Sequence, residues 1–297
     1  MTSTATTGFK VWVMAARPKT LWASISPIII GIAMAYEAGK GDFLSAAAAL
    51  LAGILLQIGA NFANDYLDHV KGIDTADRLG PLRVTHAGLV TPSQMKWATA
   101  FVLTVAFLLG VFLVYRAGWP LVVIGLSSIL FAILYTGGPY PLGYHGWGDL
   151  FAFIFFGPVA TAGTYYVQAL SVSPESIIAG CAPGLFSVAI LTVNNLRDIE
   201  SDARAGRKTL AVRFGRQFAQ NEYLLAVVLA TAAIPMYLTL TTAGKPQLLI
   251  SALSVIAAIP IVRSVRRDSG AVLNETLAAT GKLELMYAIL FSAGWLL

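Results

Sequence analysis

Cysteine is almost absent: Cys181 is the only one in 297 residues, which excludes an intrachain disulfide and a cysteine metal cluster. It lies in an apolar run and reads as a small buried side chain. Histidine is nearly as scarce, and His69, His86 and His145 stand at no spacing that builds a zinc site. Charge is the third shortage. Only 12% of residues are charged, against roughly 25% in a typical soluble domain. Meanwhile 57% are hydrophobic and the mean hydropathy is +0.73. Too little polar surface remains to cover a soluble globule, which leaves an all-α, polytopic membrane protein. The first sixteen residues lack the ordered basic, apolar and cleavage-site regions of a secretory leader, so none is expected. The net charge of +5 does not imply nucleic acid, because membrane proteins gather cations on one side.

What the chain has instead is apolar length. A hydrocarbon layer takes about 20 residues to cross. Segments near that length recur at 20–36, 44–64, 97–114, 119–136, 148–169, 177–195, 221–240, 247–263 and 283–297, giving nine predicted transmembrane helices in one domain, 1–297. Pro27, Pro158, Pro183, Pro235 and Pro260 fall within or near them, so kinks are expected. Nine crossings put alternate loops on opposite sides. With the N-terminus inside, seventeen of the twenty Lys and Arg residues fall on the cytoplasmic side, leaving Lys40, Arg116 and Lys245 outside. That bias orients the chain. The two longest polar connections, about 65–96 and 196–220, then face the cytoplasm of a multi-pass protein in the cell membrane.

Both connections open with the same plan. NFANDYLDHVKGIDTADRLGPLR at 61–83 and NNLRDIESDARAGRKTL at 194–210 each close an apolar span and run into a basic loop. Asn61 and Asp65 match Asn194 and Asp198, four residues apart in each copy and 133 apart between copies. Asp68 and Asp202 follow at spacings that keep each set on one helical face. The repetition predicts two pseudo-repeated halves, roughly 20–136 and 148–263, plus a ninth helix. Two carboxylate faces at a membrane surface repel each other unless something positive lies between them. Hard divalent cations bind carboxylate and amide oxygens, and magnesium completes its shell with water and substrate phosphate. Asp65, Asp68, Asp198 and Asp202, with Asn61 and Asn194, are therefore the candidate metal ligands. Asn64 and Asn195 lie beside those faces and are candidate diphosphate ligands. Lys71, Arg78, Arg83, Arg197, Arg204 and Lys208 are placed to hold the outer oxygens of a diphosphate. Asp74, Asp77, Glu200 and Arg216 read individually as solvated loop residues.

The first motif, Asn64-Asp65-Tyr66-x-Asp68, and the second, Asp198-x-x-x-Asp202, resemble the paired aspartate-rich motifs of the UbiA superfamily of intramembrane prenyltransferases. The resemblance runs from Arg17-Pro18-Lys19-Thr20 to the ninth span. NDYLDHVKGIDTADRLGPLR and NNLRDIESDARAGRKTLAVRFG look most like the branch that acts on 1,4-dihydroxy-2-naphthoate. Many superfamily members place a further aspartate four residues after the position of Asp68. Here that position is Gly72, with Asp74 two residues on, a variation that the naphthoate branch shares.

The resemblance implies a nine-helix UbiA-type bundle that uses Mg2+, a polyprenyl diphosphate and an aromatic acceptor to make demethylmenaquinone, with loss of carbon dioxide and diphosphate. It makes Asp65, Asp68, Asp198 and Asp202 catalytic through the metal. It implies shielding of an allylic cation, for which Tyr66, Tyr135, Tyr140 and Tyr144 are candidates. Asp149 and His69 are candidates near the acceptor, and Arg17 and Lys19 for steering its carboxylate. Helix-end and interfacial roles compete for each of these. Two other readings stay open: a UbiA-type enzyme with another acceptor (hydroxybenzoate, homogentisate, chlorophyllide or haem), and a secondary transporter. The transporter would be expected to keep its polar groups near mid-membrane rather than at one surface.

Overall fold

The computed structural model describes residues 8–72, 79–242 and 244–297, and within them the chain is helix, turn and loop with no strand. All nine apolar segments fall in helices. Helix α1 (Gly8–Ala16) leads through a turn at Pro18–Thr20 into α2 (Trp22–Glu37), with a bend of 58° between them. There follow α3 (Phe43–Val70), α4 (Pro92–Ala117), α5 (Trp119–Leu134), α6 (Gly148–Ala169) and α7 (Pro174–Arg197). A short α8 (Ile199–Arg204), α9 (Leu210–Thr241), α10 (Pro246–Arg267) and α11 (Leu273–Leu296) complete the chain. Six of these are long and apolar enough to cross a membrane: α3, α4, α6, α7, α9 and α10. The bent pair makes a seventh. Helix α5 is apolar but has only 16 residues, and α11 carries Glu275, Lys282 and Glu284 along its length.

Polar residues at the edges stop the apolar helices. Asp42, Thr91, Ser173 and Thr209 cap α3, α4, α7 and α9, each accepting from a backbone N–H of the first turn. Thr91 and Gln94 form a full capping box, with Pro92 at the first helical position.

The loops sort into two layers. At one end Lys245 Nζ meets Glu37 Oε1 and the Trp295 carbonyl, both at 2.8 Å, and Lys40 Nζ reaches Ser171 Oγ at 3.2 Å. At the other end Lys71 Nζ donates to the Thr136 carbonyl at 2.5 Å and Lys208 N to the Tyr144 carbonyl at 2.7 Å. There Asn274 Nδ2 also reaches the Leu79 carbonyl at 2.8 Å. Both acidic motifs lie in this second layer, away from Lys40 and Lys245.

The core gathers Ile30 and Met34 of α2, Phe186 of α7, Tyr223 of α9, and Tyr287 and Phe291 of α11. The outward faces are apolar too, with Phe101, Leu108, Trp119, Leu240 and Ile256 exposed, as a lipid-facing surface requires. Inside α6, Pro158 offers no N–H, and the helix opens into a π turn at Phe155–Val159. That turn lies against α7 backbone to backbone. A Cβ on Gly157 would come within 2.6 Å of the Gly180 carbonyl oxygen and 2.7 Å of Gly184 Cα. Small residues permit the crossing. Beside it, helices α2 to α7 enclose a cavity of about 680 Å³, lined mostly by apolar side chains.

Candidate active site

Helix α3 carries the first motif without a break to Val70. Asn61 donates to the Ala16 carbonyl at 2.9 Å and to Thr20 Oγ1 at 3.1 Å, fastening the bent α1–α2 entrance. Asn64 Oδ1 accepts from Thr136 Oγ1 at 2.5 Å. Asp65 is 1% exposed, and its two oxygens accept from the backbone N–H groups of Val84 (3.0 Å) and Thr85 (3.1 Å). The carboxylate therefore pins the loop that returns over the helix end. Asp68 Oδ2 accepts from Arg83 Nη2 at 2.7 Å, and Oδ1 from the Tyr144 hydroxyl at 2.5 Å.

The second motif differs. Helix α7 ends at Arg197, and Asp198 (φ −97°, ψ 9°) redirects the chain into α8. The single helical face predicted across Asn194, Asp198 and Asp202 is broken there, although Asp202 N still donates to the Asp198 carbonyl at 2.8 Å. The cause is local. Arg197 folds onto Asp198 through Nε (2.9 Å) and Nη2 (2.5 Å), and also reaches Asn194 Oδ1 and Asn274 Oδ1, both at 2.7 Å. Its side chain is 1% exposed. A guanidinium predicted to face a diphosphate instead clamps the ends of α7 and α11.

The two motifs meet at Arg207. Its Nη1 lies 3.1 Å from Asp202 Oδ1, its Nη2 lies 3.7 Å from Asp68 Oδ1, and its guanidinium stands 4.4 Å from the centre of the Tyr144 ring. Burial alone would lower the pKa of Arg207, but Asp202 and Asp68 outweigh it and raise the pKa above its ordinary value. Burial, then the charge of Asp68 and the bond to it, push the Tyr144 hydroxyl up as well, so it stays a donor. Lys71 Nζ lies 5.2 Å from the same ring.

Asn61, Asn64 and Asn194 line the cavity together with Tyr135. Asp68 and Asp198 lie one helical turn beyond Asn64 and Asn194. On the cavity wall Phe131 packs against Phe151 (4.5 Å) and Phe155 (4.9 Å), an aromatic group that no sequence motif marked. Arg207 and Thr136 also escaped the sequence reading, since both lie in loops where spacing carries no helical meaning. Asp149 is buried, with Oδ1 unbonded, next to Gly148, where a Cβ would lie 3.2 Å from the Tyr135 hydroxyl.

Other predicted residues lie apart from the junction. Tyr66 packs on the small cluster around Phe62, Val84 and Met95. Tyr140 is exposed and stacks on His145 at 3.6 Å. Lys19, Arg204 and Lys208 are exposed, Arg17 is half-buried with φ 52°, and Asn195 is buried. Arg78, Asp74 and Asp77 lie outside the described residues.

Among the described residues no three His, Cys, Asp or Glu groups form a ready-made metal cage. Magnesium seldom uses one: it takes one or two carboxylates and completes its shell with substrate phosphate and water. Asp68 and Asp202 converge on one cation from two segments. That donor set fits.

The sequence pattern of the UbiA prenyltransferase family matches residues 24–294. The chain is 37% identical to the 1,4-dihydroxy-2-naphthoate octaprenyltransferase of Haemophilus influenzae, over 97% of this chain and 96% of that protein. It is 39% identical to the protein of the same name from Mycobacterium tuberculosis, over 95% of each. In three dimensions it is similar to a UbiA homologue from Archaeoglobus fulgidus bound to GPP and Mg2+. That likeness has a TM-score of 0.69 at 13% identity, over 95% of this chain and 99% of that one, and is one of fold.

Proposed function

The chain belongs to the UbiA prenyltransferase family, and from that premise we propose that it transfers a polyprenyl group from polyprenyl diphosphate to 1,4-dihydroxy-2-naphthoate. The relatives matched along nearly their whole length are named for that acceptor. The observation that carries the reading is the convergence of Asp68 and Asp202 on one cation, a helical turn beyond the end of a long apolar cavity.

Asp68 and Asp202 would hold magnesium, backed by Asp65, Asp198 and the amides of Asn61 and Asn194. Bound there, the ion supplies Lewis-acid stabilisation of the departing diphosphate. Lys71 and Arg207 add positive charge around the phosphate oxygens. The allylic C–O bond breaks with its electron pair on the diphosphate. Tyr135 and the Phe131–Phe151–Phe155 wall face the resulting cation and exclude water from it. The ring carbon that bears the carboxylate forms the new C–C bond. Its bond to the carboxylate then breaks, and the pair left behind restores the aromatic ring. The product is the reduced form of demethylmenaquinone, with carbon dioxide and diphosphate released.

The two pseudo-repeated halves would each deliver one acidic segment, and nine crossings of the cell membrane would leave both segments cytoplasmic. The segregation of Lys40 and Lys245 from the motifs supports that orientation. In intact cells of a Cys181→Ser variant, Ala38→Cys, exposed beside Lys40, should react with an impermeant thiol reagent and Ala205→Cys should not. The opposite labelling would invert the topology. For the reaction, the purified protein with magnesium, 1,4-dihydroxy-2-naphthoate and an allylic polyprenyl diphosphate should release diphosphate and carbon dioxide in equal amounts with the prenylated quinol. Prenylation of hydroxybenzoate or homogentisate in its place would move the assignment to another acceptor. Absence of any prenylated aromatic would reject it.

A further inference from the structure

Among the described residues Arg207 touches both acidic segments, at 3.1 Å from Asp202 and 3.7 Å from Asp68. Its backbone is held on both sides. Gly206 turns the chain with φ +71°, and Lys208 N is bonded to the Tyr144 carbonyl at 2.7 Å. The guanidinium is held by Asp202, Asp68 and the face of the Tyr144 ring, with its Nε unbonded and 17% of the side chain exposed. A rotation about its own side chain would take it off the carboxylates while the loop stays in place. A divalent cation drawn to Asp68 and Asp202 would meet this fixed positive charge, and like charges at such separations repel strongly outside bulk water. A diphosphate changes the balance, because it offers a guanidinium two matched acceptor oxygens.

We propose that Arg207 competes with the divalent cation for Asp68 and Asp202, so that metal enters together with the diphosphate and not ahead of it. This rests on the prenyl-diphosphate reading given above. Arg207 then couples two ligands: diphosphate draws its guanidinium off the carboxylates, and its charge no longer opposes the metal there. Coupling between linked ligands is reciprocal, so metal must tighten diphosphate binding by the same factor.

The probe is Mn2+, titrated by electron paramagnetic resonance into the purified full-length protein, with and without an unreactive thiolodiphosphate analogue of the allylic substrate. In the wild type the analogue should tighten Mn2+ binding by about tenfold or more, within the usual range of coupling between sites. Arg207→Gln should bind Mn2+ alone about tenfold tighter than the wild type does and lose most of the gain from the analogue. Arg207→Lys keeps the charge and should leave Mn2+ binding alone weak. Unchanged or weaker Mn2+ binding alone in Arg207→Gln overturns the proposal. If that variant fails to fold, the wild type still decides, because equal Mn2+ affinity with and without the analogue rejects the coupling. A wild type that takes up Mn2+ in neither condition would instead count against the diphosphate-and-metal reading itself.

Discussion

The two acidic segments share a sequence plan but fix their matching aspartates by opposite means. Asp65 is held from outside its helix, by backbone N–H groups of Val84 and Thr85 about twenty residues on. Asp198 is held from within, by the guanidinium of the preceding residue. The first device leaves α3 straight and makes the geometry depend on a long loop. The second breaks the helix at Asp198 and makes it depend on one buried ion pair. Equal spacing in sequence thus does not mean equal sensitivity. Asp68 and Asp202 then do alike what the other two do differently, since both face Arg207.

The hardest test of that contrast is Arg197→Gln. Losing one partner of a buried, hydrogen-bonded pair costs roughly 3–5 kcal/mol, because the remaining charge is left without compensation. Thermal or denaturant unfolding in detergent should show that loss, and Arg197→Lys should recover little of it, a point charge being a poor substitute for a two-pronged contact. If Arg197→Gln keeps its stability and loses diphosphate affinity instead, the guanidinium serves the substrate and the contrast collapses.

Next come the residues expected to behave alike. Asp68→Asn and Asp202→Asn should each lower kcat by about 10²–10³-fold, the scale for removing one preorganised electrostatic group. The double variant should be little worse than either single one, because groups that act as a unit are not additive. Removing divalent metal with a chelator should stop turnover, and magnesium should restore it. A variant of either residue that turns over at the normal rate would break the equivalence between the segments.

Asp65→Asn should act through the loop. A hydrogen bond to a charged acceptor is worth about 1.5–3 kcal/mol, so amide exchange at Val84 and Thr85 should quicken on the order of tenfold or more. Asp198→Asn should leave those amides alone. Faster exchange at Val84 in both variants would mean that the segments are mechanically one.

The helices were legible in the sequence because lipid imposes length and apolarity, and each of the nine apolar segments fell in a helix. The motifs were legible because helical spacing puts Asn61, Asp65 and Asp68 on one face, and α3 is unbroken there. Where the chain leaves the helix, spacing loses its meaning. Asp198 ends α7, Arg207 follows a left-handed turn at Gly206, and Arg197 finds Asn274 some 77 residues away. Arg204 and Lys208, close to Arg207 in sequence, were the candidates there, yet both are exposed to solvent. Only the return of a loop onto a helix end distinguishes the three, and that depends on contacts far apart in sequence.

The smallest effect expected is Tyr144→Phe, and it bears on an asymmetry inside the shared junction. The hydroxyl donates to Asp68, the carboxylate of the first segment. Removing that bond should lower kcat by about tenfold, near the lower end for a bond to a charged acceptor. The pH dependence follows from the sign of the shift. Burial first, and then the negative charge of Asp68, raise the Tyr144 pKa above its ordinary value, and only the protonated hydroxyl can donate. On the alkaline side the bond therefore survives past the usual tyrosine value and is lost only as pH rises through the elevated one. Between about pH 6 and pH 9 the ratio of wild-type to Tyr144→Phe activity should stay flat. A ratio that falls toward one inside that window would mean that the hydroxyl ionises there and does not hold Asp68. A flat ratio that vanishes in an Asp68→Asn background but survives in Asp202→Asn would tie the hydroxyl to the first segment alone.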